Sequence, residues 1–194
     1  LPHQFWYVPK VSDGLNVVET AADGSFTLPG HERERFIFIT TPSGYKTFNR
    51  HYHKIEKKQS GYDFGLIPYS GRIRKDGSHR YIHITDTEIF NTENHADWVN
   101  NVRDYARNEQ AAFIIHTGDI CYEKGLKAHI KLMNTENMDC PVFYCIGNHD
   151  LVKGKYGEEL FESIYGPVYY SFDAGNVHYV VTPMSGGDHA PGYT

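Results

Sequence analysis

The chain has 194 residues, with 19 Lys and Arg against 24 Asp and Glu and a formal net charge of −5. At 40% hydrophobic and 22% charged residues it reads as globular, one large domain or two small ones, and not as disordered. No apolar run approaches the ~20 residues of a membrane-spanning helix, and mild acidity leaves no basic stripe for a nucleic-acid backbone.

Twelve histidines are a heavy load for this length and point toward metal or proton chemistry. Cys121, Cys140 and Cys145 are odd in number and lack C-x-x-C spacing, so buried thiols are expected rather than a disulfide framework or zinc ribbon. The chain starts at Leu1 without Met or a charged-then-apolar leader, and is expected to be processed or trimmed.

Residues up to about Ser70 predict an all-β region. Phe26-Thr27-Leu28 and Phe36-Ile37-Phe38-Ile39-Thr40 have strand composition. Between such runs stand the turn signals Asp13-Gly14, Asp23-Gly24, Pro29-Gly30 and Pro42-Ser43-Gly44. Short strands at close spacing suggest a small sandwich. The Gly- and charge-rich stretch 69–78 is the expected boundary, giving domains 1–74 and 75–194.

Beyond it, strands and helices alternate. Tyr81–Ile84, Ala112–Ile115 and Val142–Ile146 read as strands, and Val168–Asp173 with Val177–Thr182 as a hairpin turned at 174–176. Helices are predicted over His95–Glu109, with Trp98, Val102 and Tyr105–Ala106 as the apolar stripe, over Leu126–Asn134 and over Glu158–Tyr165. The fold class is therefore α/β (α+β), an all-β front followed by βαβ units with an at least partly parallel sheet.

Each of the three strands ends in acidic or amide groups: Asp86 and Glu88, then Asp119, then Asn148, His149 and Asp150. Ligands in open α/β sheets bind at the carboxyl ends of strands, so these loops are expected to share one crevice. Hard oxygen donors with imidazole beside them suit two divalent cations. Two such ions ~3.5 Å apart repel by on the order of 20 kcal/mol at an effective dielectric of 20, and anionic ligands must offset this. Asp119 is the central candidate, with Gly118 allowing close backbone approach. A lone Gly-Asp after a strand is usually only a turn, and one acid there is often a helix cap. Gly-Asn-His-Asp is more specific, because packing has no need of such a polar run.

Asp86-Thr-Glu88, Gly118-Asp119 and Gly147-Asn-His-Asp150 resemble the first three blocks of the calcineurin-like metallophosphoesterase family. The resemblance covers about Arg80 to Met184 and implies a β-sandwich flanked by helices that hydrolyses phosphoesters, mono- or diester, with two metals. Carried over, Asp86 and Glu88 would hold the first metal, Asp119 would bridge, and Asn148 would hold the second. His149 would act beside the phosphate as a catalytic group, oriented by Asp150. The front region, with Val11-Ser-Asp-Gly14 and Asp23-Gly-Ser-Phe26, resembles the immunoglobulin- or transthyretin-like domain of some secreted bacterial members. That implies a periplasmic or secreted location.

Two departures stand out. Glu88 replaces the family's first-block His, and the added charge and hardness favour Mn²⁺, Mg²⁺ or Fe over Zn²⁺. The family's Gly-His-x-His is missing and the chain stops at Thr194, so the chain is expected to be the front of a longer enzyme and a poor catalyst by itself. The one His-x-His, His51-Tyr-His53, is expected as a surface strand pair, and His178 as a satisfied core residue. His116 is expected to pack or hydrogen-bond near the second block, and His189 is the weakest ligand candidate. The rival reading is a surface- or carbohydrate-interaction protein on an inactive hydrolase scaffold, with Trp6, Tyr7 and Tyr45 available to stack on sugar rings.

Overall fold

A computed structural model describes residues 8–57, 59, 61–70, 72–152 and 157–183. The chain divides into two compact units, 1–77 with 170–180, and 78–169 with 181–194. Among the described residues no helix is long and apolar enough to cross a membrane. Trp6, Tyr7 and His189 lie outside the described residues.

The first unit carries β1 (Lys10–Ser12), β2 (Val17–Glu19), β3 (Phe36–Thr40), β4 (Tyr45–Thr47), β5 (Tyr52–Lys54) and β6 (Leu66–Pro68). The second carries β7 (Arg80–Ile84), α1 (Ala96–Asn108), β8 (Ala111–His116), α2 (Glu123–Leu132), β9 (Val142–Tyr144) and α3 (Glu159–Tyr165). The chain then forms the hairpin of β10 (Tyr170–Ala174) and β11 (Val177–Val181).

In the first unit an antiparallel sheet runs β2–β1–β3–β5, with Val11 opposite both Val18 and Ile39, and Phe38 opposite Tyr52. The continuous apolar run of β3 fits its interior place, and all five of its residues are buried. Successive side chains alternate faces: Ile37 and Ile39 join Val11 in one cluster, while Phe36 meets Tyr52 edge-on at 5.7 Å. The Asp13-Gly14 turn forms as its chemistry dictates, with Asp13 Oδ1 accepting from the N–H groups of Leu15 (2.8 Å) and Asn16 (2.6 Å).

Three expectations for this unit change. Phe26-Thr27-Leu28 is not a strand, yet Phe26 and Leu28 still pack on the Val11–Ile37–Ile39 cluster. Burial selected those residues, and no ladder pairs their backbone. His51 is not a surface group: its ring lies 4.5 Å from that of Tyr170, and burial pulls its pKa down to about 4. His178 is not core either; its exposed ring binds the buried Asp173 carboxylate through Nδ1 at 2.7 Å. The hairpin, read from the sequence with the α/β region, groups with the β-rich unit. The Asp173 N–H donates to the Thr41 carbonyl at 2.8 Å, and Thr41 bridges Phe172 in parallel.

In the second unit a parallel sheet runs β7–β8–β9, with Ile84 opposite His116 and His116 opposite Tyr144. β8 is central, and its apolar run fits burial on both faces. Phe113 is 2% exposed, stacked on Tyr81 at 5.0 Å and edge-on to Phe143 at 5.8 Å. Helix α1 buries Ala106, as expected, together with Val99, and leaves Trp98 and Tyr105 of the expected stripe exposed. Helix α2 begins before the expected Leu126 and runs through Gly125. A Cβ at Gly125 would collide with the Cys121 side chain and lie 2.5 Å from the Ile89 carbonyl oxygen. That glycine seats the helix against the first loop and does not interrupt it.

Candidate metal centre

Parallel order places the three strand ends side by side, with the Asp119 loop in the middle. Backbone bonds extend the sheet into those loops: the Thr117 N–H donates to the Ile84 carbonyl at 2.9 Å, and the Asp86 N–H to the Gly118 carbonyl at 3.2 Å. Asp86, Glu88 and Asp119 all hold left-handed backbone, with φ of 54°, 50° and 51°. Such φ values are uncommon for residues bearing side chains, and they cluster where surrounding structure imposes them.

Gly118, at φ 101°, and Gly147 bring the second and third loops into direct backbone contact. A Cβ on Gly118 would lie 2.6 Å from the Gly147 nitrogen, and one on Gly147 would strike the Asp119 amide and carboxylate. The space is a cradle that any side chain would fill.

Asp150 is buried, and its carboxylate is committed to backbone. Oδ1 accepts from the N–H groups of Ile120 (2.9 Å) and Cys121 (3.1 Å), and Oδ2 from that of Gly147 (2.9 Å). Burial pushes its pKa up to about 6 while those three donors oppose the shift. This corrects the expectation that Asp150 orients His149. Within the 3₁₀ turn Asn148–Asp150 its side chain folds back under the loop, where it ties the second loop to the third.

The group on His149 is instead Glu88, whose Oε1 lies 3.1 Å from Nδ1. The hydrogen bond to Glu88, with the charges of Asp119, Glu88 and Asp150 nearby, raises the pKa of His149. Tyr122 stacks on the same ring, with centroids 5.0 Å apart and planes 20° apart. The His149 N–H donates to Asp119 Oδ1 at 3.1 Å.

His116 lies beneath the loops, wholly buried. Its tautomer follows from its partners. Nδ1 accepts from the Gly118 N–H at 3.3 Å, so Nε2 carries the proton and donates to Thr87 Oγ1 at 2.9 Å. The Thr87 hydroxyl in turn donates to the Ile120 carbonyl at 3.2 Å. Burial lowers the pKa of His116 to about 4. The hydrogen-bonding role expected for His116 therefore extends to stitching the first loop to the second.

The structure brings the Asp86, Glu88, Asp119 and His149 segments together through these bonds, with Asn148 between Gly147 and His149 on the third. Among the described residues, however, no three His, Cys, Asp or Glu side chains are gathered as a metal-holding group. The donor chemistry still fits divalent cations: carboxylates of Asp86 and Asp119, the amide oxygen of Asn148, and a cradle cleared of side chains. Sequence reasoning missed Tyr122. An exposed aromatic directly after Gly-Asp-Ile-Cys was the signal available.

Among curated proteins none matches the chain. The family model for the N terminal of calcineurin-like phosphoesterase matches residues 9–68, and that for calcineurin-like phosphoesterase matches residues 79–188. The second match spans more than half of the chain and contains every loop described above, and the family implies divalent metal ions and hydrolysis of phosphoesters. The chain belongs to the calcineurin-like phosphoesterase family.

Proposed function

We propose that the protein hydrolyses phosphoesters at a two-cation site where β7, β8 and β9 end, with Asp86, Asp119 and Asn148 as ligands from this chain. The observation that carries this reading is the stitching of three loops by backbone bonds around the Gly118–Gly147 contact. Asp119, on the middle loop, is the central ligand. These donors are too few for two ions, so the site draws further ligands from other residues. Oxygen donors favour Mn²⁺, Mg²⁺ or Fe over Zn²⁺.

When bound, the cations supply Lewis acidity to the phosphoryl oxygens and lower the pKa of bound water. The chain's own residues do the rest. The Asp150 clasp and the His116–Thr87 link hold the loops at fixed separation, which keeps the donors preorganised. His149 presents its imidazole to the leaving oxygen, which takes a proton as its bond to phosphorus breaks.

The replacement of the family's first-block His by Glu88 favours a second reading, an interaction protein on an inactive hydrolase scaffold. Nitrophenyl phosphate and bis(nitrophenyl) phosphate turnover by the full-length protein with added Mn²⁺, with Asp119→Asn as control, separates the two. The hydrolase reading expects metal-dependent turnover abolished by the substitution. Equal rates in both proteins refute it.

A further inference from the structure

His149 is the group proposed to face the leaving oxygen, and its ring is half-exposed. One hydrogen bond alone leaves an exposed imidazole free to rotate about the bond axis. A ring stacked against one face removes that freedom, and both constraints are present: Glu88 Oε1 on Nδ1 at 3.1 Å and Tyr122 at 5.0 Å across the face. Together they define the ring plane.

The two residues sit on segments already locked to each other. Glu88 precedes Ile89, whose carbonyl oxygen lies where a Cβ on Gly125 would come within 2.5 Å. Tyr122 immediately precedes α2, whose first turn contains Gly125, and follows Cys121, whose N–H the buried Asp150 accepts. The jaws are thus carried on rigid backbone even though both side chains are exposed, Tyr122 by 56%.

The chemistry of the contact has a direction. An ionised carboxylate only accepts, so Nδ1 carries the hydrogen and Nε2 remains for a ligand. Among the described residues Nε2 of His149 has no hydrogen-bond partner. We propose that Glu88 and Tyr122 are positioning residues that clamp His149, holding Nδ1–H on the carboxylate so that the imidazolium form faces the leaving oxygen with Nε2–H, whose proton passes to that oxygen as its bond to phosphorus breaks and leaves the neutral Nδ1–H ring, and that Glu88 serves His149 in place of a metal. The role assigned to His149 rests on the hydrolase reading above; the clamp itself does not. Outer partners of this kind decide imidazole orientation in other sites, at a cost of about 10–100-fold when removed.

The test uses the full chain labelled with ¹⁵N-histidine. At a pH where His149 is neutral, long-range ¹H–¹⁵N spectra are expected to show Nδ1–H in the wild type and in Tyr122→Phe, and a shift toward Nε2–H in Glu88→Ala. Mn²⁺ titration followed by electron paramagnetic resonance is expected to leave the affinity of Glu88→Ala at the wild-type level while Asp119→Asn removes binding. For turnover, Glu88→Ala and Tyr122→Ala are expected to lower kcat on an alkyl phosphoester by about tenfold or more with KM unchanged. They should affect a nitrophenyl ester much less, because its leaving group needs little proton assistance. Glu88→Gln, which keeps an acceptor oxygen, restores part of the loss.

An Nε2–H ring in the wild type, or a tautomer indifferent to Glu88→Ala, overturns the clamp. Loss of Mn²⁺ affinity in Glu88→Ala, matching Asp119→Asn, overturns it too by making Glu88 a ligand. Turnover that survives Asp119→Asn refutes the hydrolase reading instead, and the tautomer in the metal-free chain still decides whether the clamp exists.

Discussion

Acid is expected to loosen the second unit through His116. This ring is fully buried and must stay neutral, because its Nδ1 accepts the Gly118 N–H while Nε2–H donates to Thr87. Burial lowers its folded pKa to about 4 against the ordinary 6.5. Between those values the unfolded chain holds a proton that the folded chain does not, so stability rises with pH in that window. The contribution is fully present above about pH 6.5 and lost as pH falls to about 4. It amounts to about 3 kcal/mol, a large share of a typical domain's 5–15. His129, also buried and lowered by burial, acts in the same direction, while the raised Asp150 acts against both. The difference between wild type and His116→Asn therefore isolates the histidine, since the Asn oxygen can still accept from Gly118. Trp6→Phe leaves Trp98, on α1, as the sole tryptophan, so fluorescence-detected urea unfolding follows the second unit. Its unfolding free energy should fall more steeply in acid in wild type than in the Asn variant, by about 3 kcal/mol between pH 7 and 4. Identical pH profiles in the two proteins would refute the buried neutral tautomer.

Other substitutions test the scaffold. Gly147→Ala forces a Cβ into the Asp119 amide and the Gly118 carbonyl carbon, backbone atoms that cannot swing aside, and should cost about 1–3 kcal/mol in thermal unfolding while weakening Mn²⁺ binding. A wild-type midpoint and affinity would contradict the contact. Asp150→Ala strips the acceptor from three buried N–H groups and should cost about 3 kcal/mol or more by urea midpoint. Asp150→Asn, which keeps one acceptor oxygen, should fall between. Gly125→Ala gains about 1 kcal/mol of helix propensity yet should destabilise, because the added carbon meets Cys121 and the Ile89 carbonyl. A more stable Ala variant would show that α2 is not seated there.

The parts of the fold that sequence made legible are those where one local rule dominates. Three apolar strands with polar ends, separated by helical stretches, place Asp86, Asp119 and Asn148 at neighbouring strand ends, and the parallel order follows. Hidden features depend on partners distant in sequence. Gly125 looks like a helix breaker until the Ile89 carbonyl is seen against it. Trp98 and Tyr105 look like core because they are large, yet Val99 takes the buried face beside the expected Ala106. The family resemblance implied that Asp150 orients His149, but the tight turn sends its carboxylate back to the Gly147 N–H, and Glu88, 61 positions earlier, takes the ring. His178 stands in an apolar run, but alternation along β11 leaves it outside to meet Asp173.

Anomalous diffraction at the manganese edge, from a crystal of the protein grown with Mn²⁺, tests the central claim most directly. Strong anomalous peaks between the ends of β7, β8 and β9, with the Asp119 carboxylate touching them and Asp86 and Asn148 alongside, are predicted. A map without such peaks, with Asp86 and Asp119 turned apart, would contradict the account.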